Sequence, residues 1–475
     1  MPVSVKGDKD LEIIQSIENK CLRINLNENI YGTFAEIGAG QETVRNFFRV
    51  GDASCTIAKT ISAYDKDFSD AIYGIEDDGR YVTENRLKSI LSFETGLIEN
   101  RISREKHPDK LFFSYANTVT TIDFAKKYKG HGWIGIRFQS QPEEEYSEII
   151  LHVQFHETLA VLQQITIGTM GVNLIHGAYY LHDDPKNLLN HLYDQLDKDQ
   201  IEIDTINFTG PVFEKVDNRL MSLQLVKNGM TDAVMFAPDG HNVLPANVLY
   251  KRNILTLRGS FRPVTKVNMS MYEKSLKLFL NEKKVDKDQV MVIFEMTLSN
   301  LRAEGEIDEK DFMDRAKLLC SLGQTVMISN FQEYYKVVEY FAQHTSERMG
   351  LTMGVNTFID IFDERYYRHL SGGILEAFGK LFFKDLKIYL YPLKDPETGE
   401  ITTSENLKVH PRMKELYKFF KDNGRVVDIT DYEPSILDIN SREVYQMILE
   451  GKSGWENMLP ESTTNLIKEK NLFKE

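Results

Sequence analysis

The chain has 475 residues and a mass of 54.9 kDa, with 42% hydrophobic and 27% charged residues; that is ordinary globular composition and too much chain for one core, so two or three domains are expected. A net charge of -14 excludes a general nucleic-acid-binding surface, because neutralising phosphates takes Lys and Arg in local excess. The opening MPVSVKGDKDLEIIQSIENK lacks the apolar core of a secretory signal, no uninterrupted apolar stretch is long enough to span a membrane, and Cys21, Cys55 and Cys320 are too scattered for a disulfide framework or paired zinc ligands. The expectation is a cytoplasmic protein with reduced cysteines, no membrane partner and no nucleic-acid partner.

In chain order, polar punctuation at 99–110 and 238–253 suggests boundaries, dividing the chain into a 1–250 region with a sub-boundary near 100–110 and a 251–475 domain. After a helix-rich opening, the runs KLFFSYANTVT, GWIGIRF and EIILHVQF read as strands, being short, β-branched or aromatic and bounded by turn residues. A helical period follows from Leu159, then IDTINFTG and DAVMFAP read as strands flanking a helix around Arg219 to Val226. Strand and helix alternate, which predicts a mainly parallel sheet.

The alternation is clearer after Asn253. Strand ILTL leads to a helix over Ser270 to Leu280, QVMVIFEM to one over Lys310 to Leu322, TVMISN to one over Glu333 to Gln343, and MGLTMGV to one near Phe358. A helix at Ile374 to Phe382, strand LKIYLYP, an exposed polar insertion KDPETGEITTSENLK, a helix at Pro411 to Asp422, strand RVVDI and helices from Ser441 onward complete the pattern. The fold class expected is α/β, a Rossmann-like nucleotidyltransferase-type parallel sheet in the C-terminal half and an additional α/β region in the N-terminal half. In a doubly wound sheet, ligands sit at the carboxyl ends of strands, which directs attention to the loops at Gly259 and Gly354.

GSFRPVTKVN, Gly259 to Asn268, resembles the N-terminal signature of the nicotinate and nicotinamide mononucleotide adenylyltransferases, Gly-x-Phe-x-Pro-x-(His or Thr)-x-Gly-His, which joins the first strand to the first helix and cradles the triphosphate of ATP. Glycine lets backbone N–H groups approach phosphate, and the helix start adds partial positive charge. Gly259, Phe261, Pro263 and Thr265 match; Val267 and Asn268 replace the family's Gly and His, and an asparagine amide neither carries charge nor shuttles a proton. The tail from Asp438 is similar to the family's Ile-Ser-Ser-Thr-x-Ile-Arg segment, matching at Ile439, Ser441, Val444, Gly451, Pro460, Ile467, Leu472 and Phe473, with Tyr445 in place of its phosphate-binding arginine and Arg442 one turn earlier. MGLTMGVNTFIDIF resembles the strand ending in Gly-x-Asp, with Asn356 at the Asp, and Arg315 matches the arginine of a His-Arg-x-x-Met helix.

The resemblance implies adenylyl transfer from ATP, with Mg²⁺, to a mononucleotide of the nicotinate type. Thr265 and Asn268 would contact phosphates as the catalytic pair. Gly259, Ser260, Phe261, Gly354, Asn356, Ser441 and Arg442 would hold the nucleotide. The alternative is a non-catalytic protein that binds a nucleotide or a partner on the same scaffold; a homo-oligomer is left open. The same segments also read as plain helix starts, since Ser270 with Glu273 and Asn440 with Glu443 have capping-box spacing.

FAEIGAGQETVRNFFRVG in the first half is similar to a segment recurring in a bacterial family of similar length whose members carry the label nicotinate-nucleotide adenylyltransferase-like, with no mechanism attached to that half. Its Gly38-Ala-Gly40 is either a dinucleotide or adenosylmethionine loop, with Glu36 or Glu42 on a ribose, or a structural turn. His152 and His156 alternate along a strand and stand too far apart for one metal ion; His176 reads as a core or rim histidine. Asn218 with Arg219, and Gly372 with Gly373, are ligand contacts or helix caps, Ser371 being the expected cap of the latter helix.

Overall fold

A computed structural model describes residues 16–76, 79–302 and 305–473. The chain forms two compact units that divide between Thr231 and Asp232.

The first unit holds one six-stranded sheet: β1 Ile30–Gly38, β2 Ile57–Ile61, β3 Leu111–Thr120, β4 His131–Phe138, β5 Ser147–Phe155 and β6 Ile201–Thr209, in the order β2-β1-β3-β4-β5-β6. Its pairing corrects the expectation of a mainly parallel sheet: β1 is parallel to β2 and β3, while β3 through β6 run antiparallel. Short connections after β3 and β4 leave no room for crossover helices, and antiparallel neighbours need none. There is no division near 100–110 either, since β1 and β3 pair along their whole length.

Helix Ala160–Tyr180 covers one face of that sheet, where Gly171 lets it approach Thr43 and the Tyr115 hydroxyl. Helix Glu84–Arg101 covers the other, with Leu87 and Leu91 against Gly135.

The second unit contains β7 Ala233–Phe236, β8 Asn242–Val243, β9 Asn253–Arg258, β10 Val290–Thr297, β11 Thr325–Ser329, β12 Met349–Gly354, β13 Lys387–Tyr391, the small hairpin β14 Leu393–Lys394 with β15 Ile401–Thr402, and β16 Val426–Asp428. The main sheet runs β16-β13-β12-β9-β10-β11-β7-β8. Strands β9 to β13 and β16 run parallel to one another, and numbered along the chain they stand in the order 6-5-4-1-2-3, which is the Rossmann arrangement.

β7 and β8 belong here, antiparallel to β11 at the edge. This moves the boundary from residue 250 to Thr231, and it separates DAVMFAP from IDTINFTG, because the pairing partner and not the sequence neighbour decides a strand's sheet.

Helices lie on both faces. Ile254, Ile293, Met327, Met349, Leu351 and Ile388 form one core with Val337, Phe341, Phe358, Phe378 and Phe420. On the reverse face Phe294 meets Tyr272, Tyr389 meets Phe279, and Phe236 meets Phe312. The winding therefore changes face between β9 and β12, and their carboxyl ends form a topological switch point. Among the described residues no helix is long and apolar enough to cross a membrane.

Candidate functional site

β9 and β12 pair in parallel with Leu257 opposite Thr352, so the loops starting at Gly259 and Gly354 leave the same edge side by side. Helix Lys266–Leu280 starts four residues before Ser270, and its cap is Thr265, whose hydroxyl accepts from the Asn268 N–H while Asn268 Oδ1 accepts from the Thr265 N–H at 2.9 Å. The box predicted on Ser270 and Glu273 is thus replaced by one on the two candidate catalytic residues. Thr265 is 2% exposed, and Asn268 Oδ1 is also bonded by the Thr265 hydroxyl at 3.0 Å.

The loop is positioned from beneath. Gly259 N–H donates to the Glu295 carbonyl at 3.1 Å, so this N–H is not available to a phosphate as the sequence reading expected. Phe261 has φ +49 and is buried against Phe294, with ring centroids 5.2 Å apart; it anchors the turn in the core rather than lining a ligand. Arg315, 2% exposed, donates to the Ser260 carbonyl at 3.2 Å and the Asn300 carbonyl at 3.4 Å and pairs with Asp311.

Helix Ser441–Leu449 converges on this loop. Asn440 caps it by accepting from the Arg442 N–H at 2.9 Å, without the Glu443 box the spacing suggested. One turn on, Tyr445 accepts a hydrogen bond from Arg262 Nη2 at 2.7 Å, with the guanidinium 3.9 Å from the ring centroid. Arg262 Nε pairs with Asp311 at 2.7 Å. Ser441 is half-buried and Arg442 exposed; Gly354 begins the short helix Val355–Asp360, with Asn356 exposed in its first turn. The tail closes the cluster, Phe473 N–H donating to Asp314 at 2.8 Å and its ring meeting Tyr445.

Sequence reasoning missed a buried group at the same edge. Arg258 ends β9 and grips Glu295 of β10 with two bonds, 2.8 and 2.9 Å, and the Ser329 hydroxyl of β11 adds a third at 2.6 Å. Burial acts to lower the Arg258 pKa, and Glu295, Tyr334 and Glu333 together more than offset it, leaving it raised. The signal was legible: a carboxylate inside VMVIFEMT and a cation closing NILTLR. Beside it, a cavity of about 240 Å³ is lined by Thr297, Ser299, Arg302, Asn330 and Gln332 at the ends of β10 and β11. A larger one, about 1030 Å³, has Phe362, Tyr367, Ile374 and Met413 in its wall and Arg368 and Arg412 at its rim. There Gly372, not Ser371, begins the helix, and Glu376 accepts its N–H at 2.9 Å.

In the first unit the glycine loop is filled by its own chain. Glu36 accepts from the N–H groups of Thr43 at 2.8 Å and Val44 at 3.2 Å, at the start of helix Thr43–Val50. Those are the donors a cofactor phosphate would need. β1, which precedes the loop, has nine residues. Gly38 has φ +75, and a Cβ at Gly40 would stand 2.5 Å from Asn117 Oδ1; both glycines serve packing. Burial pushes Glu36 up to about 7.

His152 and His156 hold separate partners. His152 Nδ1 is 2.7 Å from Asp204 and its Nε2 3.1 Å from His131 Nδ1, while His156 faces Glu202 at 3.3 Å. His176, 4% exposed, lies in a second chain through His191 to Asp194, which also binds Lys20. Asn218 brackets the backbone of Phe208, and Arg219 clasps Asp217. Among the described residues no cluster of three His, Cys, Asp or Glu is placed to hold a metal ion.

No protein-family model matches the chain, and no curated protein does. Solved structures with partial likeness include the Plasmodium falciparum nicotinic acid mononucleotide adenylyltransferase complexed with APC, at 14% identity over 47% of this chain and 97% of that one with a TM-score of 0.28. They also include the competence/damage inducible protein CihA from Agrobacterium tumefaciens, at 13% over 29% and 79% with a TM-score of 0.20, and a competence-damaged protein (CinA) superfamily protein from Enterobacter cloacae, at 10% over 31% and 83% with a TM-score of 0.19. At such scores these likenesses carry no weight of their own; the Rossmann assignment stands on strand order and direction.

Proposed function

We propose that the second unit is a nucleotidyltransferase-like domain that binds ATP in the crevice between the ends of β9 and β12 and transfers its adenylyl group to a mononucleotide of the nicotinate type. The observation that supports this is the meeting of the two signature segments, Arg262 of the first loop bonding Tyr445 of the last motif, at the switch point of a Rossmann sheet, where such folds take their ligands. In this reading the acceptor's 5′-phosphate attacks the α-phosphate and pyrophosphate leaves. Mg²⁺ would arrive on the triphosphate and neutralise charge. The chain's own part is to hold the phosphates in line, with the Ser260 N–H, the Asn268 amide, Ser441 and Arg442 as contacts and the base region reaching toward Gly354 and Asn356.

Binding without turnover is the second reading. Asn268 folded back on its cap and the uncharged Tyr445 favour it, since neither supplies a proton or a charge to the transition state. Incubation with Mg-ATP and nicotinate mononucleotide, with pyrophosphate measured, separates the two. Pyrophosphate release supports transfer. No release with an ATP-induced rise in melting temperature selects binding alone, and neither effect removes the nucleotide reading altogether.

A further inference from the structure

We infer that the first unit docks on an anionic lipid surface through the loop between β3 and β4 and the start of helix Ala160–Tyr180. The inference is independent of the nucleotide reading, since every residue in it lies in the first unit. The loop TIDFAKKYKG, Thr121 to Gly130, carries Phe124, fully exposed at 106%, and Tyr128, exposed at 65%. At the helix start Leu159, Val161, Leu162 and Ile165 are between 40% and 57% exposed, and the last three share one helix face. Gln163 joins the two segments: its Oε1 accepts from the Ile122 N–H at 2.8 Å, and a Cβ at Gly130 would stand 2.4 Å from that same oxygen. Apolar exposure gathered in this way marks a surface that meets a partner or a membrane.

Charge selects the membrane. The loop holds Lys126, Lys127 and Lys129, all exposed, against a single acid, Asp123. Asp123 accepts from the N–H groups of Ala125 at 3.1 Å and Tyr128 at 2.6 Å, so it serves to fold the loop. Glu157, just before the helix, accepts from the Thr166 hydroxyl at 2.8 Å. The chain's net charge of -14 does not cancel this local excess, because charges more than about 10 Å away are largely screened at ordinary ionic strength. Rings beside lysines fit the boundary of an anionic bilayer, where the rings enter the interface and the ammonium groups meet phosphate. Shape agrees: a fully exposed ring projects as a knob, whereas a peptide ligand seats in a groove, and two copies facing across a two-fold axis would oppose their lysines. The sequence expectation of no membrane partner rested on the lack of a spanning stretch, which docking at the interface does not require.

The test is co-sedimentation of the full chain with vesicles of phosphatidylcholine alone and of an equimolar mixture of phosphatidylcholine and phosphatidylglycerol. The chain is expected to sediment with the mixed vesicles only, and less so as salt is added. Phe124→Ser should weaken binding roughly tenfold or more, the loss that one buried ring implies, and Lys126→Gln and Lys127→Gln about fivefold each. All three positions are exposed, and circular dichroism verifies that each variant folds. The proposal is overturned if the wild type stays in solution with the mixed vesicles. It is overturned too if Phe124→Ser binds them as the wild type does, which would leave a polyanion contact through the lysines alone. A concentration-dependent dimer in sedimentation velocity, dissociated by Val161→Gln and accompanied by no vesicle binding, would assign the face to a second copy of the chain instead.

Discussion

At the scale of single residues, the buried charges are the groups whose removal has a calculable consequence. Glu295 is 0% exposed and its side chain is matched by Arg258 and Ser329. Glu295→Leu alone leaves a buried guanidinium unpaired and is expected to cost about 3–5 kcal/mol, read as a shift in urea midpoint. The double replacement Arg258→Met, Glu295→Leu should recover most of that loss; a double variant no more stable than Glu295→Leu would show that the pair itself stabilises.

Glu36 gives a pH signature. Burial raises its pKa from an ordinary 4.5 to about 7, with the bonds from Thr43 and Val44 acting the other way. The folded state therefore holds this proton more tightly than the unfolded chain, so the contribution of Glu36 to stability is most favourable below about 4.5 and declines as pH rises through about 7. The full penalty is on the order of 3 kcal/mol. Glu36→Gln should flatten the dependence of the urea midpoint between pH 5 and 8; an unaltered slope would mean the carboxylate is ionised throughout.

At the scale of elements, two glycines and one cap decide how helices meet strands. A Cβ at Gly40 collides with Asn117, which donates to the Gly40 carbonyl at 2.8 Å. Gly40→Val is therefore expected to lower stability by about 1–3 kcal/mol, as overpacking does, with the loss present whether or not adenosylmethionine is added. A melting shift induced by adenosylmethionine in the wild type would instead restore the cofactor reading of this loop. Thr265→Ala removes the cap of helix Lys266–Leu280 and should cost about 1 kcal/mol, while Thr265→Ser should retain the bond; equal losses in both would point to packing rather than capping.

Most of these elements are legible in the letters. The second unit's parallel strands read as continuous apolar runs because both faces are covered, and NILTLR, VMVIFEMT, TVMIS and MGLTMG stand where ILTL, QVMVIFEM, TVMISN and MGLTMGV were expected. β1 escaped because Tyr31, Gly32, Thr33 and Glu36 break its apolar run, yet all nine residues sit in the sheet and eight of them are buried. The candidate site was half legible: motif spacing singled out the loop at Gly259 and the helix at Ser441, and Arg258 and Glu295 stand out as charges in apolar strands, while Arg262 and Asp311 carry no motif and acquire meaning only through their neighbours.

At the scale of the whole molecule, the chain is two compact units, each with its own sheet. Expressed separately, residues 16–231 and 232–473 should each unfold cooperatively, as units with complete cores do, and an ATP-induced rise in melting temperature should follow the second fragment alone. Aggregation of a fragment cut at 250, which strips β7 and β8 from the sheet and exposes the edge of β11, would agree with the boundary at Thr231.

By itself the sequence determined what local chemistry can: the period of helices and strands, the α/β class and the identity of the two segments worth examining. Strand direction in the first sheet, the adoption of β7 by the second, the closing of the Gly38 loop by Glu36 and the meeting of Arg262 with Tyr445 were decided by tertiary structure alone. The physical reason is common to all of them. Each depends on groups between 7 and 183 residues apart competing for one partner, and the winner is set by where the folded backbone brings them, which no local pattern encodes.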